Sequence, residues 1–385
     1  MKIICAVMIL AMFTGCAFAS EASVAVNDFA FNAGKIIMPN SGGSNFFFSP
    51  YSIISAFGMA YAGAKGDTAK EIESALGVNQ GIHDSLGGLM RDLDGSGYVS
   101  SANRVWLKSG LTLLKDYTDI LSLNYDSKVK QLDMKHNTEE SRQMINDWVS
   151  MKTNGRIQNL LQSLDPETRM VITNAVYFNA EWANKFRKSA TKPEKFDTGG
   201  GKYIEVPMMK QRRDYRYSEV DGMKAVMLPY KGRRLSMVAV LPPEEKPDAL
   251  KNIDSAMLEQ LRDSMTVYDV DLWLPKFKTE KRYDVKSVFE ALGVKLAFTN
   301  EADFSGMTSD EPLRADGVIH QTFIQVDEER TEAAAATATK MMRSTAARPM
   351  KRPFAVFHAD RPFMYFVRDN ESGTILFMGY QSFSD

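Results

Sequence analysis

Cysteine and histidine are scarce in this chain. Of its 385 residues, two are cysteines and four are histidines. Both cysteines, Cys5 and Cys16, lie in an apolar N-terminal segment. If that segment is removed, no thiol remains for a disulfide, so the stability of the protein must come from burial in a large core. The metal-ligating patterns Cys-x-x-Cys and His-Glu-x-x-His are absent, and the sequence predicts neither a metal site nor a cofactor.

Other absences narrow the functional class. The net charge of −1 argues against nucleic acid or a membrane surface as a partner. No long Pro/Gly/Ser-rich or single-sign tract divides the chain, which favours one domain. Phosphate-loop and nucleophile-elbow patterns are missing too. A serine hydrolase built from Ser49 or Ser52 with His320 is formally possible, because triad members need only meet in space. The sequence nevertheless favours a protein that is not an enzyme.

The N-terminus has the organisation of a secretory signal peptide. Lys2 precedes an apolar run at 3–13, and small residues follow up to Ala19. We therefore expect a signal peptide at 1–19, one domain at 20–385 and a secreted, extracellular protein. The alternative is lipid attachment at Cys16, which would make the protein a cell-surface lipoprotein or a periplasmic protein.

The most informative segment is a tract of small residues at 331–339. Alanine favours helix, whereas the threonines of the tract suit a strand. In a strand, the odd-numbered residues would share one face and the even-numbered residues the other. The odd-numbered residues are all Ala or Thr, as required of a segment that enters between two strands already packed on a core, where a bulky side chain would overpack. A flexible alanine-rich linker is the alternative interpretation.

Periodicity predicts mainly helices in the first third of the chain and strands later. The region from Glu21 to about Met134 is predicted to be mainly helical, with one helix starting at Ser49-Pro50. The other predicted helices are 138–151 and 281–292. The predicted strands are 170–178, 268–277, an alternating strand within 317–329, a strand-rich block at 213–241 and three strands within 354–380. Together these indicate an α+β domain with large antiparallel or mixed sheets.

Seven segments, in chain order, resemble the serpin family of protease inhibitors. They are NFFFSPYSIISAFGMAYAGAKGDTAKEI (45–72), SSANRVWL (100–107), INDWVSMKTNGRIQNLL (145–161), ITNAVYFNAEW (172–182), LWLPKFK (272–278), VDEERTEAAAATA (326–338) and FHADRPFMYFVRDNESGTILFMG (357–379). The resemblance therefore covers almost all of the chain after residue 44. It implies the serpin fold, with three β-sheets, about nine helices and an exposed reactive-centre loop at about 328–353. It also implies a monomer whose partner is a protease.

The resemblance assigns roles to particular residues. The implied hinge consists of Glu328, Arg330, Thr331, Glu332, Ala333, Ala334, Ala335 and Ala336. The implied shutter, beneath the middle of the main sheet, consists of Ser49, Ser52, Asn174 and His320. Trp182 is assigned to the breach at the top of that sheet, with a plain core aromatic as the alternative. Arg330 departs from the family pattern, since inhibitory members usually carry glycine there for its backbone freedom.

The implied mechanism uses the catalytic groups of the partner. A protease would cut the loop, and the freed segment would add to the main sheet as a strand, which moves the acylated protease on the order of 50 Å and traps it. The favoured reactive bond is Arg343-Ser344, with Arg348, Lys351 and Arg352 as alternates. A basic residue before the bond favours a trypsin-like serine protease, with papain-like cysteine proteases second. The competing class is a non-inhibitory serpin that acts as a binding or carrier protein.

Overall fold

Helices dominate the first third of the described chain. The structure is a computed structural model that describes residues 20–41, 43–94, 97–199, 201–331 and 352–384. In these residues the α-helices are α1 (Glu21–Asn40), α2 (Pro50–Tyr61), α3 (Gly66–Leu76), α4 (Ile82–Asp94), α5 (Lys115–Asn124), α6 (Thr138–Lys152), α7 (Ser255–Asp263) and α8 (Lys286–Ala291). Three short 3-10 helices occupy Lys188–Ala190, Pro247–Asn252 and Leu296–Phe298. None of the described helices is long and apolar enough to cross a lipid bilayer.

Sixteen strands complete the described residues. They are β1 (Phe46–Phe48), β2 (Val99–Lys108), β3 (Lys130–Leu132), β4 (Met170–Phe178), β5 (Ala180–Glu181), β6 (Lys192–Gly199), β7 (Lys202–Val220), β8 (Met223–Pro229), β9 (Leu235–Leu241), β10 (Thr266–Pro275), β11 (Phe277–Asp284), β12 (Gly317–Val326), β13 (Arg330–Thr331), β14 (Phe354–His358), β15 (Phe363–Asp369) and β16 (Ile375–Gln381).

One hydrogen-bonded network is the main sheet. Its strand order is β3-β2-β4-β12-β13-β5, and β11 pairs with the other edge of β12. Most neighbours are antiparallel, but β4 and β12 run parallel, in register from Val171↔Gly317 to Tyr177↔Phe323. Two central strands that run in the same direction leave room in the topology for a third that runs between them in the opposite direction.

The second network has the order β1-β16-β15-β9-β8-β7-β10-β14, with β6 also paired to β7. The 19-residue strand β7 connects two groups of strands, because its first residues pair with β6 and its last residues pair with β8. The resemblance implies three sheets. Because β7 joins two of them, the strands form two hydrogen-bonded networks.

Both faces of the main sheet are covered. On one face lies α2, whose twelve residues are all buried and whose N-cap is the side chain of Ser49, which accepts a hydrogen bond from the amide of Ser52. On the other face, α6 and the segment after it bury a second cluster around Trp106, Ile145 and Ile319. This two-sided burial explains why every residue of β4 is buried, with no alternation between buried and exposed positions.

The prediction of an α+β domain is confirmed, and strand β4 and helix α6 begin at the predicted residues. Helices α1 to α5 confirm the region predicted to be mainly helical, which also contains strands β1, β2 and β3. One local prediction was wrong, because β11 continues to Asp284 where a helix was predicted from Lys281. The polar residues of β2 and the charged residues of β11 hide the alternation that marks a strand.

Candidate functional site at the seam of the main sheet

The boundary between β4 and β12, here called the seam, is the place where a strand can be added. The two strands pair up to Tyr177↔Phe323 and then diverge. The two-residue strand β13 occupies the gap above, where Thr331 lies opposite Val326 on one side and Ala180 on the other. Because β13 is antiparallel to both neighbours, it runs from the top of the sheet toward the seam.

The register of β13 predicts where an added strand would lie. The offset between Ala180 and Val326 equals the offset along the paired part of the seam. A strand that continues from Thr331 would therefore place Thr337 between Asn174 and His320. Odd-numbered residues of the tract would share the face of Val326 and Ile324, which belong to the main core. The tract beyond Thr331 itself lies outside the described residues.

The four residues assigned to the shutter form one buried cluster at mid-seam. Ser49, Ser52, Asn174 and His320 all have no exposed surface. Nε2 of His320 accepts a hydrogen bond from the amide of Ser49 (3.0 Å), and its Nδ1 bonds to Oδ1 of Asn174. The His320–Asn174 bond joins β12 to β4 directly, so a strand that entered the seam would have to break it.

Burial also fixes the charge of His320. Removal from water lowers the pKa of the imidazole to about 3, although the bond to Asn174 acts in the opposite direction. The ring is therefore neutral at physiological pH. Since Nε2 accepts the hydrogen bond of the Ser49 amide, Nδ1 carries the ring proton and donates to Oδ1 of Asn174.

Sequence reasoning missed one member of this cluster, Asn103 of β2. Its Oδ1 accepts hydrogen bonds from Nδ2 of Asn174 (2.6 Å) and from Oγ of Ser52 (3.3 Å). The SSANRVWL segment carries part of the serpin resemblance, but the resemblance assigns no role to its polar residues. An asparagine within a segment that ends in Val-Trp-Leu was the available signal for a buried polar partner.

The same cluster excludes the hydrolase interpretation of Ser49, Ser52 and His320. His320 receives the backbone amide of Ser49 and not a hydroxyl group. The hydroxyl of Ser49 instead donates to the carbonyl of Leu376 (2.6 Å). With every side chain fully buried, no substrate can reach a nucleophile at this position.

Trp182, assigned to the breach, lies directly above the seam. Its ring is buried and stacks on Tyr230, with ring centroids 4.6 Å apart. Its Nε1 donates to the carbonyl of Asp327 (2.9 Å), and its backbone amide donates to the carbonyl of Glu329 (3.1 Å). Trp182 is thus a core aromatic that also holds the turn between β12 and β13.

Glu328, in the assigned hinge, fixes the same turn from the other side. Its carboxylate is buried and accepts hydrogen bonds from Nζ of Lys276 and from Oγ1 of Thr191, both at 2.8 Å. Burial alone would raise the pKa of Glu328, but these bonds outweigh it, and the pKa is lowered. Lys276 and Thr191 cannot be identified as partners of Glu328 from local sequence, because both are distant in the chain.

The remaining assigned residues are only partly described. Arg330 lies in β13 opposite Glu181, in the extended backbone that any residue adopts, so this position does not require glycine here. Arg352 forms an ion pair with Asp214 (2.8 Å) just before β14. The other assigned hinge and reactive-bond residues lie outside the described residues: Glu332, Ala333, Ala334, Ala335, Ala336, Arg343, Ser344, Arg348 and Lys351.

In the described part of the chain, groups of three or more His, Cys, Asp and Glu side chains that could hold a metal ion are absent. What the seam offers is a parallel strand pair joined by polar groups that can exchange partners, with an antiparallel strand already started at its upper end.

Comparison with known proteins agrees with the resemblance to serpins that the sequence shows. The family model described as "Serpin (serine protease inhibitor)" matches residues 24–382. An uncharacterised serpin-like protein of Thermococcus kodakarensis is 40% identical over 365 residues, covering 92% of this chain and 84% of that protein. The leukocyte elastase inhibitor of Homo sapiens is 34% identical over 377 residues, covering 93% and 98%. The structure of human thyroxine-binding globulin with its ligand superposes with a TM-score of 0.84 at 28% identity, covering 94% and 98%.

Proposed function

This chain belongs to the serpin family of protease inhibitors and has the serpin fold, and from that premise we propose that it is a secreted suicide-substrate inhibitor of trypsin-like serine endopeptidases. The observation that carries the proposal is the state of the seam. Strands β4 and β12 are paired directly, while β13 has begun an antiparallel strand between β12 and β5.

Cleavage of the loop releases one of its two attachments to the body of the protein. In the intact chain, residue 331 and Arg352 are both tied to the body, the first by strand pairing and the second by Asp214. A cut between them releases the end that follows β13, which can then gain backbone hydrogen bonds to β4 and β12 at once. The small residues of the tract let this happen without overpacking the core beneath the seam.

The loop sequence supports a trypsin-like target. Arg343 stands before the favoured bond, and a guanidinium pairs well with an acidic specificity pocket. Of the alternates, Arg352 is the weakest, because Asp214 already holds it against the body. A similar protein is named for inhibition of leukocyte elastase, which supports a serine endopeptidase as the class of target. Papain-like cysteine proteases remain the second candidate target.

Secretion is supported by the start of the folded domain. Ser20 is the N-cap of α1, with its Oγ accepting the amide of Ser23 (3.2 Å). Signal-peptide cleavage before Ser20 would leave this cap intact. Mass spectrometry of the mature protein tests signal-peptide cleavage. A free Ser20 at the N-terminus supports secretion, whereas a lipid on Cys16 would show that the protein is anchored to a membrane.

The decisive experiment mixes the purified full-length protein with trypsin and looks for a covalent adduct on a denaturing gel. We expect an SDS-resistant complex in the wild type and its loss in Arg343→Ala, whereas Arg352→Ala retains it. A parallel reaction with papain tests the second target. Complete cleavage by both proteases without any adduct would refute inhibition by trapping.

A carrier function is the second candidate, and the similarity to thyroxine-binding globulin is the observation that favours it. The structure of that protein with its ligand shows that this fold can hold a small molecule. A carrier would leave its cut loop outside the sheet.

A further inference from the structure

Helix α6 and the segment after it, residues 138–161, form a strap across the outer face of the seam. On the β2 side, the ring of Trp148 packs edge-on against Trp106, with centroids 5.4 Å apart. The guanidinium carbon of Arg104 lies 4.1 Å from the Trp148 ring centroid. This side of the strap is therefore held by aromatic and cation–π contacts.

The strap is stiff along its length. Asn146 binds Leu161 in both directions, with its Nδ2 donating to the carbonyl (2.9 Å) and its Oδ1 accepting the amide (2.8 Å). Oγ1 of Thr153 accepts the amide of Ile157 (3.1 Å) and so closes the turn after α6. Helix and returning segment consequently move as one piece.

The far end of the strap is attached across the seam. Nε of Arg282, on β11, donates to the carbonyl of Leu160 (2.8 Å). Strand β11 pairs with β12, so Arg282 lies on the opposite side of the seam from β2 and β4. Arg282 itself is an exposed residue, and Ile319 of β12 is the buried contact on that side.

A strand added to the seam separates the two attachments by about 4.8 Å, the spacing of strands in a sheet. A stiff strap cannot keep its attachments to both sides of the seam. The β2–β4 side holds more of the strap, since Ala102, Trp106, Val171 and Ala175 all belong to the apolar cluster under α6. The β11–β12 side contributes Ile319 and the Arg282 hydrogen bond, so it is the side that must part.

We propose that Arg282 is a positioning residue for loop insertion: its hydrogen bond to Leu160 latches the strap over the closed seam, breaks as the seam opens, and slows strand entry. The inference rests on the proposed function in so far as that function requires the seam to accept a strand. The latch exists only in the closed state, so its loss speeds insertion and leaves the inserted state unchanged.

A peptide with the sequence of residues 331–340 tests this without any protease. Its uptake by the intact full-length protein is followed with a fluorescent label. We expect Arg282→Met to take it up about threefold to tenfold faster than the wild type, the effect of one hydrogen bond. Arg282→Lys keeps a donor and should return close to the wild-type rate. Lys281→Met, the adjacent cation on β11, is the matched control and should leave the rate unchanged.

A second readout separates the latch from general loosening. After loop cleavage, the thermal midpoints of Arg282→Met and the wild type should agree. Equal uptake rates in the two proteins, or equal acceleration in Lys281→Met, would overturn the latch alone. If the wild type takes up no peptide and gains no thermal stability on cleavage, strand addition itself fails, and both the proposed function and the latch are refuted.

Discussion

At the scale of single residues, polar groups join the two strands of the seam. At mid-seam an imidazole, an amide and hydroxyls bind one another with no exposed surface. A buried polar group needs a partner, although it does not need one particular partner. A strand that entered the seam would place Thr337 between Asn174 and His320. The hydroxyl of Thr337 could then replace the hydrogen bond that these two side chains lose.

The buried histidines predict a pH dependence of stability. Burial lowers the pKa of His320 to about 3 and that of His83 to about 4. In the unfolded chain both should titrate near pH 6.5. Below that pH the unfolded state binds protons that the native state excludes, so acidification costs stability by up to about 1.4 kcal/mol per pH unit for each ring. The thermal midpoint of the intact protein should fall between pH 7 and pH 5.

The pH range and variants are chosen to isolate these two rings. Carboxylates with lowered pKa values, such as Glu328, lose protonation-linked stability mainly below pH 4.5 and stay out of the measured window. His320→Gln should show a shallower decline than the wild type. His136→Gln, which changes a largely exposed ring, should follow the wild type. Identical slopes in all three proteins would contradict the assignment.

Glu328 predicts a second residue-scale effect. Glu328→Gln removes the negative charge that pairs with Lys276 and should lower the thermal midpoint of the intact protein by a few degrees, for a loss of about 1–3 kcal/mol. The double variant with Lys276→Met should lose less than the sum of the single variants, because the two side chains interact. Additive losses would show that the ion pair does not hold the hinge.

At the scale of elements, the sequence predicts strands best where both faces are apolar. Strand β4 is uniformly buried, and its bounds followed from the sequence. The bounds of β2 did not follow from the sequence, because Asn103 and Arg104 make long-range contacts that no local pattern reveals. The same holds for Arg282: a helix was predicted from Lys281, and the hydrogen bond of Arg282 to Leu160 depends on a segment 122 residues away.

The hinge illustrates the same limit. The small-residue tract was visible in the sequence and predicted insertion, whereas the place of entry was supplied only by the resemblance. The structure adds the pairing of Thr331 with Ala180 and Val326, which sets the register of any added strand. Register depends on contacts between distant strands, so it cannot be obtained from the tract alone.

This register yields a prediction for the loop. Ala335 would lie opposite Val176 and Thr322, both buried toward the main core. Ala335→Glu should therefore oppose insertion, since an unpaired charge cannot be buried there, and the protein should become a substrate that trypsin cuts without forming an adduct. Ala334→Glu places the same charge on the opposite face and is the matched control. Equal adduct yields from both variants would show that the register is wrong.

At the scale of the whole molecule, the uncut protein is expected to be held short of its most stable state. The direct pairing of β4 with β12 satisfies the backbone hydrogen bonds of these two strands. An added strand would give the backbone of the loop hydrogen bonds as well. Access to that state is restricted by the ties at both ends of the loop, the polar bonds across the seam and the strap above it. Each restraint slows the conversion, and the rate of conversion relative to deacylation decides between trapping and turnover.

Loop cleavage should therefore raise the thermal midpoint of the entire molecule. About ten added residues, each with a hydrogen bond worth about 1 kcal/mol, shift a domain of this size by about 10 °C or more. Differential scanning calorimetry before and after brief trypsin treatment measures the shift, and cut Ala335→Glu is the control in which insertion is blocked. An unchanged midpoint in the cut wild type would mean that the loop stays outside the sheet, and the carrier function would then replace inhibition.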